Sequence, residues 1–141
     1  MEEHSYDFVD NQKLPKPVVK DDVHGTACAG IIASAKNKVC GVGIAYNSKI
    51  AGIRLLGEKI TPDDIAKAIN LGYQDVSIYS CSFGPADDGK TIGGPAYVTS
   101  KALLNGVNKG RKGKGNIYVF AAGNGGGKVY DNCNYDGYVN R

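Results

Sequence analysis

The chain has 141 residues, 22% of them charged, and a net charge of +3, so it is long enough for one globular domain and has no strong charge bias. No apolar run approaches the roughly 20 residues of a membrane-spanning helix, and the first residues lack the basic and apolar regions of a signal peptide. The 20 glycines are about twice the usual share and indicate many tight loops.

The N-terminal part of the chain predicts one helix and two strands. Residues 1–23 are polar and interrupted by two prolines, so we expect them to be irregular. In residues 26–36 small and apolar side chains recur at helical spacing, which predicts a buried helix beginning next to a histidine. Residues 39–46 and 50–56 predict β-strands, and Arg54 in the second run needs a partner if it is buried.

The C-terminal part predicts two helices that alternate with two strands. Residues 61–72 predict a helix, because they begin with Thr-Pro-Asp-Asp: a threonine N-cap, a proline in the first turn and two carboxylates near the positive end of the helix dipole. Residues 76–83 are typical of a parallel strand buried on both faces. Residues 95–107 predict a helix, the basic residues 109–114 a solvated loop and residues 116–122 a strand. This order predicts an α/β fold.

Functional side chains of α/β proteins collect in loops at the carboxyl ends of the strands. Two such loops, residues 84–94 and 123–140, are rich in Asp, Asn and Gly. Their carboxylates are suited to holding a hard cation or a guanidinium, and they can equally be solvated turn formers. The carboxylates concerned are Asp87, Asp88, Asp131 and Asp136.

Two residues are of a type that catalyses acyl transfer. His24 precedes the first predicted helix and is followed by glycine, which suits a general base and equally suits a helix cap. Asn124 follows a predicted strand among glycines, where its amide could donate to an oxyanion or simply complete a tight turn. The same stretch lacks the first glycine and the Ser/Thr of a phosphate-binding loop, so we do not expect nucleotide binding.

The four cysteines have no CxxC spacing, which argues against a zinc site. Cys28 and Cys81 lie in apolar runs and are expected to be buried free thiols. Cys40 and Cys133 lie in loop-like sequence and are candidates for disulfides whose pairing the sequence does not assign.

Taken together, three segments resemble the kexin/furin branch of the subtilisin-like serine proteases, and the similarity runs through essentially the whole chain. They are HGTACAG at residues 24–30, IYSCSFGPADDGK at residues 78–90 and DNCNYDGY at residues 131–138. The resemblance implies a three-layer α/β fold with a mostly parallel sheet. Residues 1–141 would be its incomplete central part, without the segments that carry the catalytic Asp and Ser.

The resemblance also implies a role for individual residues. His24 would be the catalytic base and Asn124 the oxyanion donor. Asp87 and Asp136 would receive the arginine at P1, the substrate residue just before the cleaved bond, and Asp21 would face a basic residue at P2. The extended substrate backbone would lie along Ser82, Phe83, Gly84 and Pro85, with Phe83 where the family usually has Trp.

Calcium is the cofactor that the resemblance implies. Asp87 and Asp131 would hold one ion beneath the P1 pocket, where its charge offsets the repulsion between carboxylates. A second, structural ion would involve Asn37 and the backbone of Val39 and Gly41. Ile65 and Gly93 stand where the family has acidic residues that select the P4 side chain, so we expect a weak demand for a basic P4 residue. Cys28 would be the family's unpaired thiol beside the catalytic histidine.

The function implied by the resemblance is calcium-dependent cleavage of precursor proteins after Lys-Arg or Arg-Arg. The expected partners are such precursors and the enzyme's own pro-segment, with no nucleic acid, and any membrane anchor would lie outside these residues. The expected location is the secretory pathway, of late Golgi type, or the cell surface. The 141 residues alone are expected to be inactive, because they contain a base but no nucleophile. The alternative hypotheses are a non-catalytic homologue acting as a binding or surface module, and a nucleotide-binding α/β domain.

Overall fold

A computed structural model describes residues 1–18, 20 and 22–140. The chain divides into two units, Met1–Ile60 and Thr61–Arg141. Among the residues with a predicted role in the site, Asp21 lies outside the described residues.

The first unit contains a short 3-10 helix, two short strands and one longer helix: Glu2–His4, β1 (Tyr6–Asp7), α1 (His24–Ala33) and β2 (Ile53–Arg54). The strands pair in parallel, with Asp7 opposite Arg54. β1 lies in the part that we expected to be irregular, and its pairing with β2 brings Asp7 to the guanidinium of Arg54. The expectation that Arg54 needs an acidic partner is therefore confirmed.

Helix α1 differs from the prediction in its burial. It begins at His24 rather than residue 26, and none of its residues is buried; Ile31 is 68% exposed. Its last carbonyl groups accept hydrogen bonds from residues 43–45, at 2.8 Å for Gly43 to Ser34 and 2.7 Å for Ala45 to Ile32. The predicted strand at residues 39–46 is therefore wrong, because these backbone donors bind the end of a helix instead of a neighbouring strand.

The second unit contains three helices and two strands: α2 (Pro62–Ala68), β3 (Ile78–Cys81), α3 (Tyr97–Gly113), β4 (Ile117–Phe120) and α4 (Gly126–Val129). Strands β3 and β4 are parallel, with Ile78 opposite Ile117 and Cys81 opposite Phe120. The predicted α/β class with a parallel sheet is confirmed. The short helix α4 lies in a segment predicted to be a loop.

Helix α2 begins as its sequence predicts. Thr61 is the N-cap, and its hydroxyl accepts the N–H of Asp64 at 3.2 Å while the Asp64 carboxylate accepts the N–H of Thr61 at 3.1 Å. This reciprocal pair satisfies two helix-end donors. The helix ends at Ala68 rather than at residue 72, because the N–H groups of Asn70 and Leu71 bond to carbonyls three residues back instead of four.

The core of the second unit lies on one face of the β3–β4 sheet. Tyr79 and Cys81 are buried there, and the ring of Tyr118 stacks on that of Tyr79 at 4.9 Å between centroids. Side chains of α2 and α3, including Ile65 and Leu103, cover this face. Ile78 on the opposite face is 57% exposed, so the prediction of a strand buried on both faces is wrong: both helices pack on the same side.

Helix α3 extends beyond its predicted end at residue 107. It reaches Gly113, with a break at Gly110, Arg111 and Lys112, of which the last two have φ of 49° and 57°. The N–H of Arg111 donates to the carbonyl of Tyr73 at 2.9 Å, so the basic segment is partly tied down rather than a freely solvated loop. In the described part of the chain, no helix is both long and apolar enough to cross a membrane.

Candidate functional site

Strands β3 and β4 end side by side, so the two predicted loops that follow them, residues 84–94 and 123–140, begin at the same edge of the sheet. The N–H of Ala121 donates to the carbonyl of Cys81 at 3.1 Å, so the chain leaves both strands at the same level. A cavity of about 50 Å³ lies between the two segments. It is lined by Ser82, Phe83, Gly84, Pro85, Asp87, Ala121, Gly123, Asn124 and Asp136. The structure therefore brings together all seven residues of the second unit to which a catalytic or substrate-binding role was assigned.

Asp136 is the buried carboxylate of this cavity, with 7% of its surface exposed. A β-bridge between Asp136 and Gly93 holds it in this place, and the N–H of Gly137 donates to the Gly93 carbonyl at 2.7 Å. Its Oδ1 accepts the N–H of Tyr138 at 2.8 Å. Its Oδ2 faces Gly84, where a Cβ atom would lie only 2.9 Å away. One oxygen is thus fixed by backbone, and the other points at the predicted substrate segment.

Three aromatic rings support the wall of the cavity. Ring centroids are 5.9 Å apart for Phe83 and Phe120, 5.8 Å for Phe83 and Tyr138, and 5.0 Å for Phe120 and Tyr138. Burial raises the pKa of the Tyr138 hydroxyl, and the nearby charge of Asp136 raises it further. Sequence reasoning assigned no role to Phe120 or Tyr138. The position of Tyr138, two residues after a predicted substrate carboxylate, was the available signal.

Asp87 and Asn124 are in direct contact. The backbone N–H and the side-chain Nδ2 of Asn124 both donate to Oδ2 of Asp87, at 2.9 and 3.1 Å. Both residues are exposed to solvent. Because an amide nitrogen carries two hydrogens, one N–H of Nδ2 remains for another acceptor. The predicted oxyanion donor and a predicted P1 carboxylate are therefore joined by a charge-assisted pair of hydrogen bonds.

The carboxylates of Asp87 and Asp131 meet at Gly123. A Cβ atom at Gly123, which has φ of +88°, would lie 2.8 Å from Oδ1 of Asp87 and 3.9 Å from Oδ2 of Asp131. Oδ1 of Asp131 is buried and has no hydrogen-bond partner. A buried carboxylate oxygen of this kind requires a donor or a cation. Carboxylate oxygens such as these are hard ligands, and such ligands fit calcium.

Side chains alone do not complete a calcium site. Within residues 1–18, 20 and 22–140, no group of three or more His, Cys, Asp or Glu side chains is placed to hold a metal ion. Calcium takes six to eight oxygen ligands, and backbone carbonyls and waters are among those it accepts. Asp87 and Asp131 would therefore supply only part of the coordination of an ion at this position.

His24 is the first residue of α1, in the first unit of the chain. The sulfur of Cys28, one helical turn further on, lies 3.7 Å from its Nε2. This contact agrees with the thiol that the resemblance places beside the histidine. Cys28 is half-buried rather than buried as predicted, because no element covers α1 fully.

The remaining thiols divide by exposure. Cys81 is buried and free as predicted, and burial raises the pKa of its thiol to about 12. Cys40 and Cys133 are exposed and free. Their disulfide role stays a prediction.

The predicted second calcium loop is closed by its own side-chain amide. Oδ1 of Asn37 accepts the N–H groups of Val39 and Cys40, at 2.9 and 2.7 Å. Nδ2 of Asn37 donates to the carbonyl of Gly41 at 3.2 Å. Both oxygens that an ion would bind here, Oδ1 of Asn37 and the carbonyl oxygen of Gly41, thus already accept hydrogen bonds within the loop, and the role of these residues stays a prediction.

Comparison with known proteins gives a consistent set of relatives. Residues 2–140 match the family described as the subtilase family. The kexin of Saccharomyces cerevisiae is 57% identical over 139 residues, which are 98% of this chain and 17% of the relative. The dibasic-processing endoprotease of Yarrowia lipolytica is 54% identical over 138 residues, 98% of this chain and 14% of the relative. Neuroendocrine convertase 2 of Homo sapiens is 53% identical over 142 residues, 97% of this chain and 22% of the relative. The chain spans less than a quarter of the length of these relatives.

Proposed function

Because this chain belongs to the subtilase family, we propose that it is the central part of the catalytic domain of a serine endopeptidase of the kexin type. The observation that carries the proposal is the cavity at the carboxyl ends of β3 and β4. It is lined by both carboxylates assigned to the P1 residue, by the substrate segment and by the oxyanion asparagine. A non-catalytic module would have no need for this combination of side chains in one cavity.

The proposed P1 residue is arginine. A guanidinium has five donors in a fixed fork, and two carboxylates on different loops can satisfy them better than one. Asp136 is almost fully buried, so its charge is costly unless a cation pairs with it. Asp21 would face a basic P2 residue, which makes Lys-Arg and Arg-Arg the proposed sites. The Yarrowia lipolytica relative is named as a dibasic-processing endoprotease, which supports this assignment.

The proposed chemistry is acyl transfer to a serine that lies outside these 141 residues. His24 would take the proton of the serine hydroxyl as general base and return it to the leaving amine. The second N–H of the Asn124 amide would donate to the oxygen that becomes negative during attack. The backbone of residues 82–85 would hold the substrate in an extended form by strand-like hydrogen bonds.

Calcium is the proposed cofactor, with Asp87 and Asp131 among its ligands and a second ion near Asn37, Val39 and Gly41. Bound beside Asp87, the ion would supply positive charge that offsets the repulsion between the neighbouring carboxylates. The unpartnered oxygen of Asp131 supports the first of these sites.

The proposed substrates are precursor proteins with dibasic sites, and the enzyme's own pro-segment would occupy the same cleft. The proposed location is the secretory pathway, of late Golgi type, or the cell surface. The isolated 141-residue chain would be inactive, because the segment with the nucleophilic serine that His24 would activate is not among these residues.

The test uses the full-length enzyme and matched peptides that contain Lys-Arg, Ala-Arg or Lys-Ala before the cleaved bond. We expect cleavage after Lys-Arg, weak cleavage after Ala-Arg and none after Lys-Ala. A chelator should abolish cleavage, and added calcium should restore it. Equal rates on Lys-Arg and Ala-Arg would overturn the dibasic assignment, and unchanged activity in chelator would overturn the calcium role. A full-length protein that no serine-directed reagent labels would overturn the peptidase assignment itself.

A further inference from the structure

A compact ion cluster in the first unit is not part of the site described above. Its centre is Arg54 on β2, whose side chain is 16% exposed. One guanidinium nitrogen, Nη1, lies 3.1 Å from Asp7 and 2.7 Å from Asp10. Nε and Nη2 both lie 3.1 Å from Oδ2 of Asp22. We call Arg54, Asp7, Asp10 and Asp22 the Arg54 cluster.

Asp7 and Asp22, the carboxylates at the two ends of the Arg54 cluster, belong to different structural elements. Asp7 is on β1, which pairs with β2, and its carboxylate is 2% exposed. Its Oδ1 also accepts the N–H groups of Val9 and Asp10, both at 2.9 Å. The Asp7 end is therefore fixed by the sheet and by a backbone turn. Asp22 lies beyond the sheet, in the turn that leads into α1.

Asp22 is two residues before His24, and its carboxylate binds both the backbone of this turn and the side chain of Arg54. Its Oδ2 accepts the N–H of Val18 at 3.0 Å as well as the guanidinium of Arg54. Helix α1 has no side-chain cap of its own, because Val23 stands at the N-cap position. The position of the first helical residue, His24, therefore depends on how this turn is anchored. Among the described residues, the guanidinium of Arg54 connects this turn to the sheet by binding both Asp22 and Asp7.

We propose that Arg54 is a positioning residue, which anchors the turn before α1 through Asp22 and thereby orients the imidazole of His24. The inference rests on the proposed function, in which His24 is the general base. A base must lie within hydrogen-bond reach of the proton that it removes. A misplacement of about 1 Å costs on the order of 100-fold in rate. Loosening the turn should therefore lower catalysis without changing the substrate-binding residues of the second unit.

Two variants of the full-length enzyme weaken the connection at different points. Arg54→Lys keeps a cation beside the buried Asp7, but a single ammonium group cannot reproduce the fork that reaches Asp22. Asp22→Asn removes the charge at the other end and leaves Arg54 with Asp7. Asp10→Asn is the matched control, because Asp10 contacts the same guanidinium from the sheet side and is 43% exposed.

Two measurements separate anchoring from general stability. Hydrogen exchange of residues 22–27 reports the turn and the start of α1, and it does not depend on peptidase activity. The value of kcat per titrated active site, measured on a Lys-Arg peptide, reports catalysis by folded molecules only. A merely structural role would lower the yield of active enzyme and leave kcat per active site unchanged.

We expect Arg54→Lys and Asp22→Asn to speed exchange of residues 22–27 by about tenfold and to lower kcat by about 10- to 100-fold. Asp10→Asn should stay near the wild type in both measurements. The proposal is overturned by faster exchange with unchanged kcat, by unchanged exchange in both variants, or by an equal effect of Asp10→Asn. If the wild-type enzyme cleaves no peptide, the proposed function fails, and exchange still decides whether Arg54 anchors the turn.

Discussion

The substitution Asp136→Asn tests the proposed P1 pocket most directly, because it removes charge and preserves shape. Asp136 is 7% exposed, and its Oδ1 accepts the N–H of Tyr138 at 2.8 Å. An asparagine can accept the same hydrogen bond through its carbonyl oxygen. The variant should therefore fold like the wild type and lose only the negative charge that faces the substrate.

The expected loss of kcat/KM follows from the burial of Asp136. A hydrogen bond to a charged group is worth about 1.5–3 kcal/mol, and the upper figure suits a carboxylate shielded from water. About 3 kcal/mol corresponds to roughly 150-fold in kcat/KM for a P1 arginine. Asp87 is exposed, and its Oδ2 already accepts two N–H groups of Asn124. About 1.5 kcal/mol, or roughly tenfold, is the corresponding expectation for Asp87→Asn.

The assay compares two peptides that differ only in having arginine or uncharged citrulline at P1, at saturating calcium. Asp136→Asn should lose most of its kcat/KM on the arginine peptide and little on the citrulline peptide. Asp88→Asn is the control, because Asp88 lies in the same loop and bonds Thr91 at 2.7 Å instead of lining the cavity. An equal loss on both peptides, or a larger loss for Asp87→Asn than for Asp136→Asn, would refute the reasoning.

Three further predictions concern the packing of the second unit. Thr61→Ala should lower the free energy of unfolding by about 1 kcal/mol in urea titrations. Hydrogen bonds from Thr61 lower the pKa of Asp64, so the part of the cap that runs through this carboxylate is present above the ordinary pKa of 3.8 and is lost as the pH falls through the lower folded pKa, while the Thr61 hydroxyl still accepts the N–H of Asp64. Gly106→Ala should cost about 1–3 kcal/mol, because the added methyl group overlaps the Tyr118 hydroxyl, and calorimetry should find a smaller cost in a Tyr118→Phe background. Iodoacetamide at pH 8 should label the exposed thiols well before Cys81, whose pKa burial raises to about 12, and equal labelling rates by mass spectrometry would contradict this.

Sequence reasoning succeeded where a short segment determines its own structure. The start of α2 was predicted from Thr61 as N-cap, Pro62 in the first turn and the two carboxylates after it. The structure adds that Thr61 and Asp64 satisfy each other's backbone donors, which needs no other part of the chain. It failed where distant segments decide. β1 exists because the backbone of Tyr6 and Asp7 pairs with residues 53 and 54, and a polar segment gives no periodic signal of that pairing.

The same division applies to the candidate site. The type of each side chain and its position after a strand made Asp87, Asn124 and Asp136 candidates among other loop residues, and the resemblance to a known family assigned their roles. The contacts between them were not predictable, because they depend on how closely the two loops approach. Gly123 and Gly125 allow that approach: a Cβ atom at Gly125 would lie 2.7 Å from Cβ of Asp131 and 2.8 Å from the carbonyl oxygen of Asp87. The many glycines indicated tight loops, and only the structure shows which side chains those loops bring together.

The contacts of Asp87 argue for different roles of the two proposed P1 carboxylates, Asp87 and Asp136. Oδ2 of Asp87 accepts the backbone N–H and one side-chain N–H of Asn124, and its Oδ1 lies at Gly123, where the Asp131 carboxylate also approaches. Both oxygens are thus directed to the proposed oxyanion donor, Asn124, and the proposed calcium ligand, Asp131. Oδ2 of Asp136, by contrast, faces Gly84 in the substrate segment. Asp136 should therefore supply most of the discrimination for arginine, while Asp87 mainly joins the P1 pocket to the oxyanion donor. The ranking of the two Asn variants measures this difference.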